Sequence, residues 1–247
     1  MNLLLLLESI KFHRVRQDGA VRRLFVFCYL VNIVSYFIPG SDPNLTGLIL
    51  FLQGLQQNRY VAPTFTRGNY VFLGLSAAAA ALTLLCVYFY AAIYAGEREG
   101  KTVGDAVRGL VRALPSLLLC AFLMIIPAVL SIFTLFVPLI LIATTFYFLP
   151  LNLILGRMRL TDALAASFRD TRHMKFVIFL QFVTLMLVLN LPENLVFGIF
   201  GLGGIPGTLV SGFFVAARAL ARGRLMALLY LNLVKKVPIV ITSKPTV

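Results

Sequence analysis

From Tyr70 to Ala95 the chain carries no Asp, Glu, Lys or Arg. A helix of about 20 apolar residues already crosses the roughly 30 Å hydrocarbon core of a bilayer, so this run alone is long enough to span. Further uncharged runs follow from Pro115 to about Phe133, from Leu135 to Leu155 and from Phe176 to Leu191. Hydrophobic residues make up 60% of the 247 residues and charged residues only 13%. A soluble domain has no core large enough to hide that much apolar surface, so lipid must be the solvent. The expectation is an all-α polytopic membrane protein of about six transmembrane helices, with amphipathic interfacial helices and one domain covering 1–247.

Boundaries follow from local chemistry. Leu3, Leu4, Leu7 and Ile10 share one face of a helix from Asn2 to Arg16, with Glu8, Lys11, Arg14 and Arg16 largely elsewhere, which is an interfacial pattern. The first span, 21–38, is short. Arg22 and Arg23 can snorkel to the headgroups, and Pro39-Gly40 ends it. Residues 41–69 are mixed and interrupted by Gly47 and Gly54, so their amphipathic stretch is placed on the outer surface rather than across the membrane. The second span is 70–95. Thr102-Val103-Gly104-Asp105 then starts a short amphipathic helix to Leu114, with the Thr102 hydroxyl and the Asp105 carboxylate serving orphan N–H groups and the positive helix end.

Pro115 is expected to open the third span, 115–133, and a connection containing Thr134 leads to the fourth, 135–155, as a tight hairpin flanked by Pro127 and Pro138. A second basic segment, 156–175, has Asp162 near its helix start and Arg169 and Arg172 near its end. The fifth span, 176–191, is expected to stop at Pro192, and the glycine-rich stretch 194–207 is read as a flexible outer turn or a broken helix entry. The sixth apolar region, 206–234, has two readings. Either its span ends near Ala217 and an interfacial helix carries Arg218, Arg222 and Arg224, or one tilted helix takes all three into the membrane.

The chain has 22 Lys and Arg against nine Asp and Glu, a net charge of +13. With this assignment only Arg59 and Arg67 fall on the outer side, while all others, including Arg14, Arg16 and Lys244, fall on the inner side. Such asymmetry places both termini in the cytoplasm and explains the basicity without a nucleic-acid partner. Cys28, Cys86 and Cys120 all sit in apolar runs and read as packing residues rather than a disulfide framework or zinc site. The leucine run at the start is too short for a signal-peptide core and precedes the first basic cluster, so no cleaved leader is expected.

Aligning Asp105 with Asp162 pairs Thr102–Ala106 with Arg159–Ala163 and Arg112 with Arg169, a weak repeat of an amphipathic helix leading into the membrane. Four segments carry a family resemblance. They are Gly100-Lys101-Thr102-Val103-Gly104-Asp105-Ala106, Tyr147-Phe148-Leu149-Pro150-Leu151, the stretch from Ala163 to Lys175, and Leu228-Leu229-Tyr230-Leu231. From Tyr88 onward the chain resembles the YciC-like bacterial inner-membrane proteins and the membrane domain attached to some glycerophosphodiester phosphodiesterases. The resemblance implies a six-helix fold in a bacterial inner membrane and transfers no active site.

Chemistry is sparse. His13 and His173 lie in basic interfacial segments, and no His-x-x-x-His, Cys-x-x-Cys or paired-acid motif is present, so no catalytic residue, metal or cofactor is expected. All nine acids, Glu193 among them, are read as lying in loops or at helix ends, which argues against a proton relay. Asn32, Ser76, Thr83, Thr144, Thr145, Asn152, Gln181 and Thr184 are uncharged polar residues inside spans, which interhelical hydrogen bonding explains more readily than a solute path. Arg218 and Arg222, one helical turn apart, can hold a phosphate between them. With Arg224, Lys101, Arg108, Arg112, Arg157, Arg159 and Arg169 they form a basic collar suited to anionic headgroups. The expected function is a non-enzymatic bacterial inner-membrane scaffold or accessory subunit. It would engage anionic lipid, a membrane-protein partner or a second copy. The alternative is a permease-like subunit for a small solute or lipid.

Overall fold

The computed structural model describes residues 3–237 except 14, 16, 58, 60, 61, 134–136 and 202. The expectations resting on Arg14, Arg16, Thr134, Leu135 and Lys244 lie outside the described residues. In chain order the helices are α1 (Leu3–Ile10), α2 (Asp18–Phe37), α3 (Thr46–Gln56), α4 (Arg67–Arg98), α5 (Val103–Leu123), α6 (Ile125–Phe133), α7 (Val137–Thr145), α8 (Leu149–Ile154), α9 (Leu160–Thr171), α10 (Lys175–Phe200) and α11 (Gly204–Leu229). A π-helical turn, Tyr230–Val234, extends α11. Among the described residues there is no strand, and six helical stretches are long and apolar enough to cross a membrane: Asp18–Phe37, Arg67–Arg98, Val103–Ala128, Val137–Ile154, Lys175–Phe200 and Gly204–Val234. The chain is an all-α polytopic membrane protein.

The capping signal expected at Thr102 forms, and α4 begins with a second capping box at Thr66. Thr66 and Thr102 each accept from the backbone N–H three residues on, while the Asn69 and Asp105 side chains accept from the Thr66 and Thr102 backbone N–H. Two proline readings fail. Pro115 does not open a span, because α5 runs through it from Val103. Pro192 does not stop α10, which continues to Phe200 and ends at Gly201 in the left-handed conformation (φ 57°). A proline removes one hydrogen bond and crowds the preceding turn, but neighbouring helices hold the rest of the ladder and water offers no alternative partner. The amphipathic helix expected over 102–114 is therefore the first part of α5, and the sixth apolar region is one continuous helix carrying all three arginines.

Helix α11 is central, packing against α1, α2, α4 and α10, while α5 and α8 close over the other side of α4 and α9 covers α8. Small residues let α4 and α11 approach closely. Ala91, Ala92 and Ala95 are fully enclosed with Ala216, Ala219 and Ala221, and a Cβ on Gly223 would stand 2.7 Å from the Val87 carbonyl oxygen. Gly109 plays the same part for α5 and α8, where a Cβ would lie 2.6 Å from the Ile154 carbonyl oxygen. Helix α4 is about 48 Å long at 1.5 Å per residue, well beyond the roughly 30 Å of hydrocarbon. Its C-terminal part, from Val87 to Gly96, is wrapped by protein. By contrast Leu118, Phe122, Ile126, Phe176, Leu187, Leu191 and Ile199 project outward from α5, α6 and α10, as lipid-facing residues do.

The fourth span is broken between α7 and α8 by a turn at Phe146–Phe148. The break leaves the Thr145 carbonyl without its helical partner, and α9 supplies two: Ser167 Oγ donates at 3.0 Å and Thr171 Oγ1 at 2.9 Å. Both hydroxyls are fully buried. Replacing Ser167 with Ala and Thr171 with Val together strips that carbonyl of its donors and should cost about 1 kcal/mol or more. Thermal unfolding in detergent checks this, and a double variant that melts with the parent contradicts it.

Candidate functional site

The polar features of the bundle fall into three places. One lies between two of the candidate spanning helices, where α10 meets α11. Asn190 and Glu193, three residues apart, share a face of α10, and Ser211 and Arg218, seven apart, share a face of α11. Arg218 Nη1 donates to Asn190 Oδ1 at 2.8 Å and pairs with Glu193 Oε2, while Ser211 Oγ donates to Glu193 Oε1 at 3.1 Å. Glu193 lies about 10 Å along α10 from Phe200, and Arg218 about 21 Å along α11 from Gly204. Both side chains are largely enclosed, at 14% and 16% exposure. The expectation that every acid lies in a loop or at a helix end is thus corrected for Glu193. A stop at Pro192 would put Glu193 in a loop, whereas α10 runs through the proline and carries Glu193 within the helix. With that expectation goes the ground for excluding an ionisable group inside the bundle.

Ser211 also belongs to the wall of a cavity of about 210 Å³ between α2, α4 and α11. Asn32, Ser35 and Tyr36 line it from α2, Ser76 from α4, and Thr208 from α11. Below it, Asn32 Nδ2 donates to Thr83 Oγ1 at 2.7 Å and to the Cys28 carbonyl at 2.8 Å, tying α2 to α4. Asn32 and Thr83 thereby satisfy the interhelical reading of polar residues within spans. Thr144, Thr145 and Thr184 instead bond carbonyls of their own helices. Cys28 and Cys86 are buried free thiols.

The second place is Arg224, 1% exposed. Its guanidinium donates to the Lys11 carbonyl at 2.5 Å and to Glu8 Oε2 at 3.3 Å, and lies 4.7 Å from the Tyr94 ring centroid. Tyr90 Oη donates to the Phe12 carbonyl at 2.7 Å alongside. These contacts fasten α1 and the turn after it to α4 and α11. Arg222 faces α10, with Nε and Nη2 at 3.1 and 2.8 Å from Met186 Sδ and the Phe182 ring 5.6 Å away. A thioether is a weak acceptor, and among the described residues no carboxylate pairs with Arg222. The three arginines expected to act together therefore serve different partners. A phosphate shared by Arg218 and Arg222 would compete with Glu193.

The third place is the end of the bundle where α4, α5, α8 and the π-helical turn meet. Glu99 takes Lys101 Nζ at 2.6 Å and Lys235 Nζ at 2.9 Å, and Lys101 also reaches the Leu155 carbonyl at 3.4 Å. Arg108 and Arg112 project from α5, Arg157 and Arg159 from the α8–α9 connection, and Arg169 from α9, all exposed. Arg157 holds a left-handed backbone (φ 51°), which is unusual for a residue with a Cβ. Of these five, only Arg169 has a carboxylate within 4 Å among the described residues, Asp170 at 3.7 Å, while Asp105 acts on Arg108 and Arg157 from farther off. The collar's Lys101 is thus engaged within the protein, while the five arginines are exposed and can meet an external anion.

No family model matches the chain, and neither does any curated protein or solved structure. What fold and site define together is the class, a six-span helical membrane protein with one strongly basic end and a paired charge within the bundle.

Burial of Glu99 raises its pKa, but hydrogen bonds from Lys101 and Lys235 outweigh this and hold the carboxyl below the usual carboxylate range, while Glu99 lifts Lys235. A depressed folded-state pKa contributes stability that is complete above the unfolded value and is lost as pH falls through the folded one. Amide protection around residues 96–101, taken relative to the intrinsic exchange rate at each pH, should therefore fall as the medium is acidified below the ordinary carboxylate pKa. Glu99→Gln should already show low protection there at neutral pH, and that protection should change no further on acidification. An identical acid response in that variant would contradict the assignment.

Proposed function

We propose that this chain is a non-enzymatic scaffold or accessory subunit of a bacterial inner membrane, with both termini and the basic end in the cytoplasm. It engages anionic lipid, or a membrane-protein partner presenting acidic groups, through that end. The single observation that carries the reading is the set of exposed arginines, Arg108, Arg112, Arg157, Arg159 and Arg169, gathered on the elements at one end, four of them with no carboxylate within 4 Å among the described residues. Cations near an anionic leaflet contribute about 1 kcal/mol each, and the sum over several is a usable affinity. Positive-inside sorting supports the orientation, and the likeness of residues after Tyr88 to YciC-like proteins supports the bacterial inner membrane.

A second reading, a permease-like subunit for a small solute or lipid, is favoured by the polar cavity and the adjoining Glu193–Arg218 pair. The two differ in which residues matter, so they separate experimentally.

Native mass spectrometry of the purified full chain tests the first. Phosphatidylglycerol or cardiolipin should be retained over phosphatidylcholine. Changing Arg108, Arg112, Arg157 and Arg159 together to Gln should lower anionic-lipid retention by about tenfold or more. Equal retention by parent and variant overturns the lipid reading.

A further inference from the structure

The cavity between α2, α4 and α11 is unusual in its chemistry. A pocket among lipid-embedded helices is ordinarily walled by aliphatic side chains, because every hydroxyl facing hydrocarbon forgoes its hydrogen bonds with water. Here three hydroxyls, a phenol and an amide from three helices converge on one space, with Ser211 as a fourth hydroxyl. At about 210 Å³ it exceeds the room one water needs and is smaller than the pockets that take drug-sized ligands.

The hydrogen bonds already formed define what the wall still offers. Asn32 has committed its Nδ2 to Cys28 and Thr83, so its Oδ1 is left to accept. Thr208 Oγ1 donates to the Gly204 carbonyl and Ser211 Oγ donates to Glu193, so each has spent its proton and retains lone pairs. The lining on these sides is therefore rich in acceptors, and a fitting occupant brings several donors. Its charge follows from the ionised groups behind Ser211. Glu193 and Arg218 neutralise each other, so the cavity presents no uncompensated charge to attract an anion or a cation. A phosphate or an ammonium would lose its hydration without gaining a counter-ion.

We infer that this cavity is a binding site for a small uncharged polyol, held by Asn32, Thr208 and Ser211 and reporting through Ser211 to the Glu193–Arg218 pair. The same hydroxyl-rich chemistry could arrive as a free solute or as the uncharged sugar headgroup of a glycolipid. The inference gives the permease-like reading its substrate class and does not involve the basic end, so loss of anionic-lipid binding would leave it standing. Transport is not required for it either.

Saturation-transfer NMR on the full chain in phosphatidylcholine nanodiscs, with xylitol as the probe, suits weak binding of this kind. The parent should transfer saturation to xylitol and not to glycerol 3-phosphate. Ser211→Ala and Thr208→Val remove one acceptor each with little change of volume, and each should weaken xylitol binding about fivefold, the size of one lost hydrogen bond. Ser76→Phe fills the space and should abolish the signal, with circular dichroism and melting confirming that the variant is folded. Nanodiscs containing a monoglucosyl diacylglycerol distinguish the sources: competition with xylitol identifies the lipid headgroup as an occupant, and its absence identifies a free polyol. The inference is overturned if the parent gives no xylitol signal, if Ser211→Ala and Thr208→Val bind as the parent does, or if glycerol 3-phosphate transfers equally well.

Discussion

Hydrocarbon offers no hydrogen bonds, so every charge and every interrupted backbone group inside this bundle has to find its partner on another helix. Arg224 finds Glu8, Arg218 finds Glu193 and Asn190, and the Thr145 carbonyl finds Ser167 and Thr171. Each of these contacts joins one helix to another: α1 to α11, α10 to α11, and α7 to α9. The polar contacts specify which helices meet, while the alanines and Gly223 between α4 and α11 let them meet closely. Arg222, held by a thioether and an aromatic face, is the place where this pairing is weakest.

The same rule divides the molecule into two ends of different character. At the C-terminal end of α4 the Val87–Gly96 stretch is enclosed by protein, and the arginines around that end stay exposed. Toward the other end the helices face lipid with large aliphatic and aromatic side chains, and the internal space is polar. An anionic surface suits the first region and an uncharged hydrogen-bonding occupant the second.

Much of the fold was legible because span detection depends on absence of charge, and the runs from Tyr70 and Phe176 advertise it directly. The Thr102–Asp105 start was legible because capping is local. Pro115 and Pro192 misled for the opposite reason: a proline's effect on a helix is set by what packs around it, which sequence spacing does not reveal. That error hid Glu193, although its i, i+3 relation to Asn190 and the i, i+7 relation of Ser211 to Arg218 were available as a signal. The Glu8–Arg224 contact, with a sequence separation of 216, left none. The cavity was visible only as scattered polar residues, Asn32 and Ser76 among them, since convergence of three helices is a tertiary fact.

Glu193 and Arg218 are tolerated within the bundle because each is paired with the other. A double-mutant cycle on Glu193→Gln and Arg218→Gln, read by unfolding in detergent or bilayer mimetics, tests it most directly. Each single change strands a charge and should destabilise the fold by about 3 kcal/mol, while the double change should recover most of that loss. Additive losses, with the double variant as unstable as the sum of the singles, would contradict the account.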